Sequence, residues 1–255
     1  MKNTYRFFVA PELLTAEVVT LDDTELVHQL VRVLRLTPGA QIMLLDGLGN
    51  QYTLELTAVS RVCVVGHVLT TGPAPDPTYD LSLYVALIRP ERFEWVLQKG
   101  TELGVRRFVP VSFSRCLANE CADGRKTERW QRIIREAAEQ AWRGRVPILS
   151  PALSFAAACA EAATAHFPLI LWEGDAPPLR DRLRPPAPHA SYAILSGPEG
   201  GITSEELALA TQHAIMPASL GTHILRAETA PIMAAAALSY ELGGEDHASH
   251  QSMRS

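Results

Sequence analysis

The sequence predicts an α/β chain in two parts, a small β-rich barrel followed by a larger domain built on a mostly parallel sheet. Three observations carry this. Gly72-Pro73-Ala74-Pro75-Asp76-Pro77 has a proline at every second position, the composition of an extended spacer. Ahead of it, apolar runs of strand length follow one another closely. Behind it, apolar strand runs alternate with segments of helical period, the pattern of a parallel sheet covered by helices. The boundaries so drawn are residues 1–72, a proline-rich linker at 73–79, and a domain at 80–244. Residues 245–255 have little to bury and are expected to form a disordered tail.

Each element follows from local chemistry. Asp23 to Leu34 has helical spacing, and Pro38-Gly39 marks a turn. Gln41–Asp46 and Tyr52–Thr57 are strands flanking a turn through Gly47 and Gly49, and Val62–Val68 adds another. After the linker, Asp80–Ile88 reads as a buried strand, Arg92–Leu103 as a helix stopped at Gly104, and Phe108–Phe113 as a strand. Glu128–Trp142 and the alanine-rich Phe155–Ala165 are helices. Leu169–Trp172, Tyr192–Leu195 and Ala214–Leu220 supply further strands, and Pro231–Leu242 the last helix. Residues 175–190 hold five prolines and read as a surface loop. No internal repeat is present.

Composition bounds the function. Of 255 residues, 47% are hydrophobic and 20% charged, as in an ordinary globular protein. No apolar run approaches the roughly 20 residues of a membrane span, and the N-terminus lacks a secretory signal. A cytoplasmic protein that does not bind membrane is expected. Cys63, Cys116, Cys121 and Cys159 form no Cys-x-x-Cys pair, so reduced thiols and no metal site are expected. The net charge of −5 is unevenly spread: residues 89–145 hold 13 basic against 8 acidic residues. That sector is either a basic face for a polyanion or a set of solvated helix faces.

The segment richest in chemistry runs from 192 to 230. Tyr192–Leu195 ends in Ser196-Gly197-Pro198-Glu199-Gly200-Gly201, and Thr203 and Glu206 stand at capping-box spacing to open a helix. A strand, a glycine turn and a helix N-terminus form a platform where backbone N–H groups meet a polar ligand. By themselves the glycines serve equally well to end a strand. A second loop, Leu220-Gly221-Thr222-His223-Ile224-Leu225-Arg226-Ala227-Glu228-Thr229-Ala230, makes the signal specific.

Together the two segments resemble the methyl-donor site of the SPOUT class of RNA methyltransferases, and within it the RsmE family, which methylates uridine N3 in 16S ribosomal RNA. The resemblance extends from Arg6-Phe7-Phe8-Val9 to about Gly243, through His28…Arg32-Val33-Leu34-Arg35, Gln98-Lys99-x-Thr101-Glu102-Leu103-Gly104-Val105 and Glu139-Gln140-x-x-Arg143. Trp142 departs from it, standing where the family has a small residue, and His223 fills a variable position. The resemblance implies a PUA-like N-terminal barrel, a C-terminal domain with a deep trefoil knot, S-adenosylmethionine as cofactor, and a homodimer. It also implies 16S ribosomal RNA or the small subunit as partner.

Site residues follow by position. Ser196, Gly197, Pro198, Glu199, Gly200 and Gly201, with Leu220, Gly221, Ile224, Leu225, Arg226, Glu228, Thr229 and Ala230, are expected around the donor. Leu171 and Trp172 are either part of the adenine wall or plain sheet core. Uridine N3 carries a proton, so the site needs a base or a cation that stabilises the uracil anion. Arg226 is the candidate cation and Glu199 the candidate base, while pairing of Arg226 with Glu228 is the structural alternative. Helix capping competes for Glu228 and Thr229. Arg6, Arg32, Arg35, Arg115 and Arg143 are candidates for phosphate contacts, and His28 is read as structural.

Three other functions fit the sequence less well. A dinucleotide oxidoreductase lacks its Gly-x-Gly-x-x-Gly, and a hydrolase lacks Gly-x-Ser-x-Gly. A non-catalytic ribosome-assembly factor would need a degenerate donor site, whereas both donor segments are intact.

Overall fold

The computed structural model describes residues 5–116, 124–183 and 190–242. Cys121, the middle of the loop at 175–190, and the tail at 245–255 lie outside the described residues. The chain divides into two compact units, Met1–Asp76 with Ala138–Val146, and Pro77–Ala137 with Pro147–Ser255.

The first unit is a five-stranded sheet. Its strands are β1 (Arg6–Phe8), β2 (Val18–Leu21), β3 (Gln41–Leu45), β4 (Asn50–Val59) and β5 (Val64–Pro73), in the order β1-β3-β4-β5-β2. The β1–β3 pair is parallel and the others are antiparallel. β1 and β2 end the sheet and do not pair with each other, so the expected barrel is an open sheet. The β3–β4 turn is held by Asp46, whose carboxylate accepts from Leu48 N (2.7 Å), Asn50 N (3.0 Å) and Asn50 Nδ2 (2.6 Å). These bonds hold the carboxyl below its ordinary value against the opposing effect of burial.

The helix expected at 23–34 is α1 (Thr24–His28), capped by Asp23 Oδ1, which accepts from Leu26 N at 2.8 Å. It continues as a wider turn over Gln29–Val33, in which Leu34 N–H reaches back five residues to Gln29 O at 2.9 Å. Arg35 ends it in a left-handed conformation (φ +52°), with Leu36 N–H on Leu30 O. Leu30, Ile42, Leu44 and Leu54 are fully buried in the core between this helix and the sheet. A smaller cluster of Phe8, Leu45 and Ala138 draws 138–146 into the unit, and Glu139 Oε1 accepts from Phe8 N at 3.3 Å.

The second unit is an all-parallel sheet. Its strands are β6 (Asp80–Ala86), β7 (Arg107–Ser112), β8 (Ile148–Leu149), β9 (Leu153–Ser154), β10 (Phe167–Leu171), β11 (Ser191–Ser196) and β12 (Met216–Ala218). The order is β12-β10-β11-β6-β7-β8, with β9 continuing along β7 where Pro151 interrupts the edge strand. Its helices are α2 (Pro90–Glu102), α3 (Gly124–Gln140), α4 (Phe155–Ala162), α5 (Leu179–Arg182), α6 (Ser204–Gln212) and α7 (Thr229–Leu242). The last turn of α3, from Ala138, is counted with the first unit. Tyr192, Phe93, Phe108, Leu81 and Leu83 are among the largest buried side chains. No described helix is long and apolar enough to cross a membrane.

Candidate functional site

Ligands of open parallel sheets bind beyond the carboxyl ends of the strands. Here three neighbouring strands, β12, β10 and β11, end side by side. The segments leaving them are Trp172-Glu173, Gly197–Gly201 and Ser219–Ala227, and a cavity of about 360 Å³ lies among them. That volume falls at the small end of the roughly 300–1,000 Å³ usual for small-molecule sites. Leu171, Trp172, Ile202, Leu220, Ile224 and Leu225 give it apolar walls, while Arg92, Glu173, Glu199, Ser219 and Thr222 supply polar groups.

The wall formed by the glycine turn is built by hydrogen bonds. Gly201 takes φ +76°, and its N–H closes the turn on Pro198 O at 2.9 Å. A Cβ on Gly197 would stand 2.5 Å from Ile202 Cγ1, so only glycine lets the chain fold back that tightly. The capping box on α6 forms in both directions: Thr203 Oγ1 accepts from Glu206 N (3.2 Å), and Glu206 Oε2 from Thr203 N (2.9 Å). Glu206 is also buried, and its Oε1 accepts from Ser114 N at 2.7 Å, which ties the end of β7 to the turn.

Most expected donor contacts line the cavity: Leu171, Trp172, Ser196, Gly197, Pro198, Glu199, Gly201, Leu220, Gly221, Ile224, Leu225, Arg226 and Ala230. Gly200, Glu228 and Thr229 are not among the lining residues. A Cβ on Gly200 would meet Arg115 Cβ at 3.0 Å, so that glycine makes room for Arg115. Glu228 is buried, and its neighbour is Arg92, not Arg226 (Nε to Oε1, 3.8 Å). The other Glu228 oxygen has no hydrogen-bond partner among the described residues. Arg92 also holds Glu199, Nη1 to Oε1, at 3.0 Å. Arg226 is exposed on the rim, and its carbonyl accepts from Thr229 N and Ala230 N to start α7.

Sequence reasoning did not find Arg92, Glu173, Ile202, Ser219 or Thr222. Glu173 adjoins a named residue and was within reach. Arg92 was not, because its partner Glu199 lies 107 residues away and the two meet only through the pairing of β6 with β11.

The candidate phosphate contacts separate into groups. Arg32 and Arg35 are exposed. Arg115 is folded onto the glycine turn, its Nη1 donating to Gly200 O at 2.8 Å. Arg143 is 5% exposed and its Nε lies 2.5 Å from Asp76 Oδ1, which takes it off the surface that a phosphate could reach. Arg6 lies over the Trp142 ring, with Cζ 4.4 Å from the centroid. His28 is exposed and outside the core. Much of the positive charge in 89–145 is held in ion pairs, among them Arg106–Asp80, Arg107–Glu161, Arg129–Glu94 and Arg145–Asp76.

An RNA methyltransferase domain family matches residues 74–239, and an RNA methyltransferase PUA domain family matches residues 21–64. Ribosomal RNA small subunit methyltransferase E of Synechocystis is 36% identical over 236 residues, covering 91% of this chain and 76% of its own. The protein of that name from Bacillus subtilis is 31% identical, covering 85% and 88%. The crystal structure of that enzyme from Neisseria gonorrhoeae bound to S-adenosylmethionine superposes with a TM-score of 0.83 at 30% identity, covering 93% of this chain and 98% of that one. A methyltransferase from Legionella pneumophila in complex with the same cofactor gives 0.81 at 29% identity, covering 94% and 98%.

Proposed function

The chain belongs to the family of ribosomal RNA small subunit methyltransferases E, and from that premise we propose that it methylates N3 of a uridine in 16S ribosomal RNA with S-adenosylmethionine as donor. One observation carries the reading: the cavity across the ends of three parallel strands, enclosed by the glycine turn and the 219–227 loop.

The residues present suit that donor. Leu171, Leu220 and Leu225 offer apolar surface to a flat adenine. Glu173 and Glu199 set carboxylates beside a cavity that would receive a cationic sulfonium. Gly221 has nothing within 4 Å of a notional Cβ, so its backbone is open to a ligand. When bound, S-adenosylmethionine supplies a methyl group already activated by the sulfonium. The protein's tasks are then to hold the uracil in line and to manage the N3 proton.

Arg226 suits the second task, since an exposed guanidinium on the rim stabilises the uracil oxygens as negative charge develops there. Arg92 fixes Glu199 through Oε1, which leaves Oε2 as the acceptor for the departing proton. Arg92 and Glu228 in turn hold the start of the last helix against α2. The first unit, with Arg32 and Arg35 exposed, suits the holding of RNA.

The trefoil knot and the homodimer belong to the same proposal. The chain passes from the edge strand β12 through the 219–228 loop to α7, which packs on α2, β11 and β6 in mid-sheet, a return path compatible with threading. On α7 Met233 and Tyr240 are exposed, as is Trp95 on α2, apolar surface that a second copy would cover.

The test is single-turnover methyl transfer to naked 16S RNA and to assembled small subunits, followed by mapping of the modified base. Methylated uridine N3 in either substrate supports the reading. Donor binding without transfer to either would point to an assembly factor.

A further inference from the structure

Trp142 combines three features that its local structure does not require. It follows α3 in a left-handed conformation (φ +60°), which bulky residues rarely adopt. Its side chain is 54% exposed. One face of the indole is covered by the Arg6 guanidinium, with Cζ 4.4 Å from the centroid. Arg6 has no carboxylate partner among the described residues, and its Nε and Nη1 are shut from solvent without a hydrogen bond. Burial pushes its pKa down. A half-buried cation whose partner among the described residues is a π face is held firmly there, because a desolvated cation–π contact is stronger than an exposed one. The ring is thus fixed from behind and open to solvent elsewhere.

We propose that Trp142, fixed by Arg6, is a stacking platform for an unpaired nucleobase of the RNA substrate, in the first unit and separate from the donor cavity. Single-stranded RNA is recognised by exposed aromatic rings and guanidinium planes that receive splayed bases, and a positive charge behind the ring strengthens the attraction to the nearby backbone. A rigid ring loses little freedom when a base settles on it. The proposal rests on the reading of the chain as an enzyme that acts on RNA. It adds that contact with the substrate includes one sequence-tolerant stack, which a duplex cannot make.

The test measures binding of a short single-stranded oligouridylate, and of an RNA duplex of equal length, to the full chain carrying Trp142→Leu, Trp142→Phe or no change. Leucine keeps apolar bulk at the site but cannot stack. Phenylalanine keeps a ring. Trp142→Leu should weaken single-strand affinity at least about fivefold, the lower end of what one base–aromatic stack contributes. Duplex binding should change less than twofold, and the salt dependence should stay the same because no phosphate contact is lost. Trp142→Phe should recover most of the affinity while losing the tryptophan quenching that oligouridylate causes in the unchanged protein. Leucine binding as tightly as tryptophan, or phenylalanine no better than leucine, overturns the proposal; the former would leave the indole as a contact for protein. Calorimetric titration of S-adenosylmethionine and methylation of ribosomal RNA by the unchanged protein run in parallel. Failure there counts against the methyltransferase reading, whereas failure of the leucine–phenylalanine comparison counts against the platform alone.

Discussion

The two walls of the cavity are built differently. The 197–201 turn is tied down from several directions: Gly201 N–H to Pro198, Arg115 to Gly200, and the buried Glu206 to both Thr203 and Ser114. The facing loop is anchored only at its start, where Ser219 N donates to Pro177 O and Ser219 O accepts from Leu179 N, each at 2.8 Å, and Ser219 Oγ accepts from Gly221 N and donates to Gly221 O, each at 3.2 Å. Its residues Gly221, Thr222, His223 and Ile224 are all exposed, Ile224 to 87%. Segments with few buried contacts open at low free-energy cost, and binding loops are drawn from them. One wall is therefore a fixed template and the other an adaptable cover. The fixed wall should set how the donor sits, and the cover should set how long it stays.

The largest expected effect separates chemistry from both walls. Arg226 stands exposed at the end of the adaptable loop with no ion pair among the described residues, so Arg226→Ala removes a charge without releasing a buried partner. Single-turnover methylation should slow about 100-fold or more, the loss typical of one electrostatic stabiliser in a transition state. Donor affinity by calorimetry should move less than twofold. Normal turnover would break the assignment of Arg226, and a large loss of donor affinity would make it part of the wall.

Next comes the brace of the fixed wall. Glu206→Ala leaves the N–H groups of Ser114 and Thr203 without their acceptor. Ser114 is exposed and Thr203 half-buried, so losing the two bonds costs about 1–2 kcal/mol and thermal unfolding should fall by about 2–8 °C. Donor affinity should drop about tenfold as the turn loosens. If affinity held while stability fell, the turn would not owe its shape to this bond.

That brace also shows what was legible in the sequence. Thr203 and Glu206 announce a capping box because cap and partner are three residues apart, and the structure forms it. The strands β3, β6, β7, β10 and β11 were legible from their apolar runs, each within a few residues at its ends. β1, at three residues, is too short for any pattern, and its place comes from pairing with β3 more than thirty residues on. Arg143 looked like a surface arginine because Asp76, which buries it, lies 67 residues earlier. That the Cβ side of Gly200 faces Arg115 could not be read from the sequence, because the two lie 85 residues apart. Local chemistry could be read along the chain; what the sheet order brings together could not.

The two glycines sharpen the comparison inside the fixed wall. Gly197→Ala drives a methyl into Ile202, which lines the cavity, and should weaken donor binding about tenfold, within the roughly 1–3 kcal/mol cost of overpacking. Gly200→Ala meets Arg115 Cβ at 3.0 Å, and Arg115 does not line the cavity, so donor affinity should change less than threefold. Calorimetry on the folded pair decides it, and equal losses would mean that the turn moves as one body.

The smallest effect tests the cover. Ile224 lines the cavity yet is 87% exposed, an apolar side chain left in water unless something closes over it. If the 220–225 loop folds onto bound donor, Ile224 becomes partly buried, and losing that contact costs about 1 kcal/mol at 25 cal/mol per Å² for some 40 Å². Ile224→Ser should then raise the donor dissociation rate about fivefold. The association rate should stay within twofold, because the open form that admits the donor already has Ile224 in solvent. Stopped-flow measurement of both rates distinguishes the cases. A slower association with unchanged dissociation would mean that Ile224 guides entry, and the loop would then be a gate instead of a cover. No change in either rate would leave the adaptable wall without a part in holding the donor, and the contrast with the braced turn would lose its functional meaning.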